Sequence, residues 1–401
     1  MESPAYVIPP VNVPADEYDF TITAAMLDSP IAEPDTSVGE AAYSGGTTYV
    51  VGDQVISATT HRTYESLVGS RSVVTISIAT PGAVTWPNHG LAPNTPVVLT
   101  TTGALPTGLT AGTTYFVHTV PNLNSFTLKA TLSGAEISTS GSQSGVHTAT
   151  ANGNLGNDPA STLGLYWTDV GPTNRFKAFD LLRNSRTVAA SPFTFTLTPG
   201  TGVDAIGFSG ISADQITISF SSTLGGGVVR ETTMETVRRP VTNWYEWVTA
   251  PYYRVGVAAD LEIPPYPDIE IEITLTSESG TVELGGVVMG LKSRLGTAVI
   301  GSEIDAQNFS PIERDAYGNA RMIPQRNTPV VRQTVWCEAV DVNRLNNTKN
   351  QLAGVPAYWI FLSDPTHPYF EILVLVGPYS RWTIPLEHHE QVPQRLEVLE
   401  V

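Results

Sequence analysis

The 401-residue chain carries 38 acidic against 21 basic residues, a formal charge of −17, and only 15% of its residues are charged. That balance excludes a nucleic-acid backbone as a natural partner, because phosphates demand clustered Lys and Arg, and it disfavours an anionic membrane surface. One cysteine, Cys337, excludes an internal disulfide, and no apolar run reaches membrane-spanning length.

Gly (34) and Pro (30) are spread along the whole chain. They punctuate short strands with turns, so a mainly β, multi-domain protein is expected. The sequence opens Met1-Glu2-Ser3-Pro4, without a basic or apolar leader pattern. Assembly in a reducing cytoplasm follows as the expectation. Residues 1–42 are rich in Pro, Asp and Glu and predict an extended N-terminal arm that orders against a neighbour.

Residues 43–69 contain two short strand patterns around Gly52-Asp53, and residues 153–172 have the same texture, ending in Tyr166-Trp167. Together they predict one small split module. Residues 70–152, nearly free of charge and rich in Thr, Ser and Gly, alternate as in Val73-Val74-Thr75-Ile76 and Ser125-Phe126-Thr127-Leu128. They predict a complete β-domain inserted into a loop of the smaller one. Residues 173–310 contain period-2 runs such as Gln215-Ile216-Thr217-Ile218-Ser219-Phe220 and predict a central β-sandwich closed by residues 282–291. In residues 311–401, strands over 330–340, 358–362, 370–376 and 396–401 accompany a helix over 342–352. Val342, Leu345 and Leu352 share that helix's buried face, and Asp341 and Gly354 mark its ends. This predicts a C-terminal α+β docking domain, a β-sandwich with one helix.

Two stretches resemble known families. Tyr49-Val50-Val51-Gly52-Asp53-Gln54-Val55, Tyr64-Glu65-Ser66-Leu67, Asn157-Asp158-Pro159 and Tyr166-Trp167 are similar to the chitin-binding modules of bacterial chitinases, with Tyr43 where a leading Trp is usual. The insertion, with Asn88-His89-Gly90-Leu91 and residues 103–109, resembles a β-domain scattered through phage virion proteins. The run from Trp167 to Asp180, with residues 285–290, Leu295-Gly296, Asp315-Ala316-Tyr317-Gly318-Asn319 and residues 354–360, resembles tailed-bacteriophage tail and baseplate proteins. The resemblance implies a structural component of the virion tail, a tail-tip or baseplate ring or adaptor. Its expected partners are other tail proteins and further copies of itself in a ring. The alternative is a tail protein that recognises host-surface glycan.

Candidate site residues follow. Tyr49, Tyr64 and Trp167 are candidates for stacking on a pyranose ring, or else for the core of a module too small to fold without them, and its small size favours the core. Trp244, Tyr245 and Trp247 are interface candidates; read as a strand, Trp244 and Glu246 take one face, Tyr245 and Trp247 the other. Glu387-His388-His389-Glu390 lacks a third ligand at helical spacing, and Glu313 and Asp315 read as turn residues, not paired glycosidase carboxylates. No nucleophile elbow, P-loop or zinc motif occurs. The expectation is a non-enzymatic protein with no metal and no cofactor.

Overall fold

The computed structural model describes residues 3–12, 20–47, 49–151, 157–182, 185–239, 241, 243–299, 301–314, 320–323, 325, 327–386 and 390–400. The protein is mainly β, with two α-helices among the described residues, Trp244–Thr249 and Val342–Gln351. It divides into two compact units, Glu33–Thr173 and the combination of Met1–Ala32 with Asn174–Val401.

In the first unit, six antiparallel strands close into a barrel. Their order is His147–Ala151, Ser70–Ile76, Ala83–Thr85, Ser125–Lys129, Thr114–Val117 and Pro96–Thr101, which pairs back onto the first. Alternation sends Val74, Ile76, Leu99, Val117, Phe126 and Leu128 inward. Closure leaves no edge of the barrel unpaired, which suits a segment almost without charge to guard an open edge. The first and last strands pair at Ser70 with Ala151, so the chain enters and leaves the barrel at one point. Gly69 makes the entry at φ +110°; a Cβ there would press into the Tyr49 carbonyl oxygen, so the turn requires glycine.

The rest of this unit is a three-stranded sheet in the order Trp167–Pro172, Arg62–Ser66, Gln54–Ser57. Asp169 and Arg62 form a two-armed ion pair across it, with Nη2 donating to Oδ1 at 2.7 Å and Nε to Oδ2. Residues 33–42, expected as part of the extended N-terminal arm, belong to this unit. Ala42 bridges Ile56, and the Glu33 carboxylate accepts the Thr173 hydroxyl at 2.6 Å and meets His61 Nδ1 at 2.8 Å. One side chain thereby clamps the first and last residues of the unit together.

The second unit stacks three layers. The outer layer is a five-stranded sheet in the order Gly227–Glu235, Gln215–Ser222, Glu270–Thr276, Phe193–Leu197, Leu27–Asp28. A three-stranded sheet, Val257–Asp260, Ala205–Ser209 and Gly286–Gly290, forms the middle. Its Ile206, Phe208, Val287 and Met289 face the outer sheet, while Ala205 and Val288 enter the core of the third layer. Gly286-Val287-Val288-Met289-Gly290 is wholly buried because a strand covered on both faces has no polar side.

The third layer runs Val374–Gly377, Ala357–Ile360, Ser3–Ile8, Ser293–Ala298, Asn327–Glu338, Gln391–Leu399, Tyr379–Thr383, with Glu303–Asn308 also on Asn327–Glu338. Its two end strands are consecutive in the chain, separated only by Pro378, so the sheet curls until its ends meet. The Leu399 amide donates to Pro378 O at 3.2 Å at that corner. Inside, the Trp382 indole donates to Gln394 Oε1 at 3.0 Å and Gln394 Nε2 to Leu295 O at 2.7 Å, so this buried polar pair is satisfied. The helix Val342–Gln351 packs Leu345 and Thr348 inward and ends before Gly354 at φ +77°. Cys337 is buried beside Val392 O, and burial pushes its thiol pKa up.

Three expectations need correction. Ser3–Ile8 is an interior strand of the curled sheet, with Ala5, Val7 and Ile8 fully buried, and Ile22, Leu27 and Ile31 enter the outer core. The described residues among the first 32 are therefore part of this unit's fold. Proline density hid this, since Pro4 sits inside a paired strand opposite Thr297. Residues 282–291 do not form one closing strand but break at Gly285, Thr281–Leu284 pairing with Thr187–Ala190 and Gly286–Gly290 with the middle sheet. Finally, no boundary falls at residue 310, because Ser293–Ala298 and Glu303–Asn308 belong to the curled sheet. The layers are joined further by Tyr358, whose ring lies on Gly207 and whose hydroxyl is 2.9 Å from both Phe208 O and Ala258 O. Complete burial pushes this phenol pKa far up.

Candidate functional site: an exposed aromatic hairpin

Residues 237–239 and 243–254 leave the outer sheet as a hairpin. Its root is the paired strands Val237–Arg238 and Tyr253–Arg254, and its tip is the short helix Trp244–Thr249. The strand expected at Trp244-Tyr245-Glu246-Trp247 is thus a helix, for local reasons. Asn243, extended at φ −148°, caps it by accepting the Glu246 amide at 2.9 Å, and Pro251 follows its C-terminal end. Asn at the cap with Glu three positions on was the available signal, masked by the aromatic run.

Arg239 holds the other end. Its Nε donates to Ala250 O at 2.9 Å, Nη2 donates to Trp247 O, and the guanidinium lies 4.9 Å from the centre of the Tyr252 ring. A cation on the last carbonyls of a helix satisfies their lone pairs and opposes the dipole. The root is anchored by Asp214, which accepts Arg254 Nη2 at 2.7 Å, Ser277 Oγ at 3.0 Å and the Glu278 amide at 2.7 Å. Burial opposes ionisation of Asp214, but these donors outweigh it and hold the carboxyl below its ordinary value.

The hairpin is held by these bonds, yet its large rings face solvent. Trp244 is 77% exposed, Tyr245 72% and Trp247 62%, with Val248, Tyr252 and Tyr253 also exposed. The two indoles stack nearly parallel, 14° apart with centroids at 6.3 Å. These rings form an exposed apolar cluster on a hydrogen-bonded scaffold.

The other aromatic candidates are arranged oppositely. Tyr49 is 8% exposed, Tyr64 3% and Trp167 0%. Tyr49 meets Trp167 edge-on at 5.2 Å, the Trp167 indole donates to Asn157 O at 3.0 Å, and Tyr64 Oη lies 2.9 Å from Thr60 Oγ1. They are the core of the small sheet with Val55, flanked by half-buried Tyr43 and Tyr166, and the rings of Tyr49, Tyr64 and Trp167 are too buried to offer a face to a sugar. The pyranose platform expected as one alternative is therefore not formed.

Among the described residues no group of three or more His, Cys, Asp or Glu is placed to hold a metal ion. Residues 387–389 and 315–319 lie outside the described residues, and with them the Glu387-His388-His389-Glu390 motif and the Glu313 and Asp315 pair; Glu313 itself is exposed. No family model matches the sequence, and no curated protein matches it.

Proposed function

We propose that the chain is a structural component of a phage virion tail, at the tail tip or baseplate, which acts by docking onto neighbouring proteins. The observation that supports this best is the aromatic hairpin. Trp and Tyr are the residues that carry binding energy at protein interfaces, and a scaffold held by Arg239, Asn243 and Asp214 presents them with less backbone entropy to lose on docking. The sequence resemblance to tail and baseplate proteins supplies the particle. The test is an electron-microscopy map of assembled tails: residues 237–254 buried against another chain support the reading, and a hairpin standing free in solvent overturns it.

One observation favours a second reading, recognition of host-surface glycan. Two exposed, nearly parallel indoles are the geometry on which apolar sugar faces pack. A glycan array probed with the wild type and with a Trp244→Ser, Trp247→Ser variant separates the readings, since only a lectin loses array binding.

A further inference from the structure

On the face of the curled sheet turned away from its core, three neighbouring strands set two rows of side chains across the ladder. Asn327–Glu338, Gln391–Leu399 and Tyr379–Thr383 place Arg332, Glu397 and Arg381 in one row and Thr334, Arg395 and Thr383 in the other. Alternation fixes this face, because their chain neighbours Val331, Val335, Leu396 and Trp382 point into the core. Both rows line a recess of about 310 Å³.

The charges in the recess are unevenly engaged. Arg332 donates from Nε to Glu397 at 3.0 Å and from Nη1 to Asp305 at 3.3 Å, and lies 3.8 Å from Glu303. The Arg332 bond, and after it the Ser380 hydroxyl donating at 3.0 Å, hold the Glu397 carboxyl below its ordinary value. Arg381 acts on Glu397 only at longer range. Among the described residues neither the Arg381 nor the Arg395 guanidinium has a hydrogen-bond or ion-pair partner, and both residues are exposed. The Thr334 and Thr383 hydroxyls, directly opposite Arg395 on either side, also make no hydrogen bond among the described residues. Side chains opposite one another on adjacent strands start about 5 Å apart, so the guanidinium and both hydroxyls can reach one small group.

The lining also says what that group is. A planar guanidinium fork matches a carboxylate. Three arginines stand against Glu303 and Glu397, a net charge of +1 that one carboxylate neutralises and a doubly charged phosphate overshoots. Leu396 is the one apolar side chain among the lining residues, whereas a protein partner is held by an apolar patch at the centre of its contact. Sugar hydroxyls, by contrast, find donors and acceptors at Thr334, Thr383 and Glu397. We propose that this recess binds an acidic sugar, a uronic acid of a glycan, with Arg395 pairing its carboxylate and Thr334 and Thr383 bonding the oxygens beside it. The site shares no residue with the hairpin and does not rest on the assembly reading.

The experiment is titration calorimetry of the full chain with a galacturonate oligomer, a neutral galactose oligomer of the same length and a glutamate oligomer. The galacturonate oligomer is expected to bind and the neutral one is not. Arg395→Gln, at an exposed position and checked for folding by circular dichroism, is expected to weaken binding about tenfold or more. Arg395→Lys is expected to restore only part of it, because an ammonium lacks the fork. Trp244→Ser with Trp247→Ser is expected to leave the affinity unchanged. No binding of the galacturonate oligomer, equal binding of the neutral one, or wild-type affinity in Arg395→Gln overturns the proposal. Equal or tighter binding of the glutamate oligomer also overturns it, since the recess is then a docking point for acidic protein. Loss of binding in the double tryptophan variant overturns it too, by placing the sugar on the hairpin. The assembly reading stands or falls separately, on whether the hairpin is buried against another protein in the particle.

Discussion

The two aromatic clusters are built from the same residue types and placed in opposite environments. Tyr49, Tyr64 and Trp167 close a three-stranded sheet that has little else to bury. Trp244, Tyr245 and Trp247 stand on a helix of six residues with none buried. A small sheet must spend its largest side chains on its own core. A hairpin fixed by a cap, an arginine and a carboxylate is held by polar bonds and leaves its rings for something else. Composition alone cannot separate these cases; what separates them is whether another element supplies the scaffold's stability.

The comparison is sharpest at Trp167. Trp167→Ala is expected to cost about 3–5 kcal/mol and to unfold the small sheet. Chemical denaturation followed by tyrosine and tryptophan fluorescence measures it, and a folded variant of near wild-type stability would mean the ring is not core. Next comes Tyr358→Phe, which tests the joint between layers. It removes the one hydroxyl donor that the buried Phe208 and Ala258 carbonyls share, at a cost of about 1–3 kcal/mol, read from the denaturation midpoint.

Asn243→Ala should cost about 1 kcal/mol, confined to the hairpin and visible as faster amide exchange at Trp247 and Ala250. Acid is expected to act at the same place. Asp214 has its folded pKa lowered below the ordinary 3.8, so its contribution is present above that value and is lost as pH falls through the folded pKa. Amide exchange at Val255, bonded to Thr236 O, should therefore rise below about pH 4 relative to the barrel strands. The smallest effect belongs to Trp244→Ser with Trp247→Ser, expected within about 0.5 kcal/mol of wild type because no buried contact is lost. A large loss of stability there would erase the contrast between the two clusters.

Much of the architecture was readable from local pattern. Val73 to Ile76, Phe193 to Leu197 and Gln215 to Phe220 alternate with period two and form strands at those places. Leu345 and Leu352 mark the buried face of the C-terminal helix. Residues 70–152 were expected to be strands, and six strands between Ser70 and Ala151 close into a barrel within the unit Glu33–Thr173. The hairpin was half legible: its residues were singled out, but the Asn243 cap and Pro251 stop were overlooked in favour of the aromatic run, and Arg239 gave no signal of its role. That role depends on carbonyls 8 and 11 residues away that converge only after the helix has formed.

By itself the sequence determined the strongly alternating strands, such as Phe193–Leu197 and Gln215–Ser222, and the C-terminal helix, because hydrophobic period and turn residues act within a few positions. It could not determine which strands become neighbours. Ser3–Ile8 finds its partners at Ser293–Ala298 and Ala357–Ile360, and the middle sheet is buried from both sides by segments distant in the chain. Nor could it decide which tryptophans face water. Those outcomes belong to the tertiary structure, since burial is a property of what packs against a side chain and long-range pairing is chosen by the whole of the core at once.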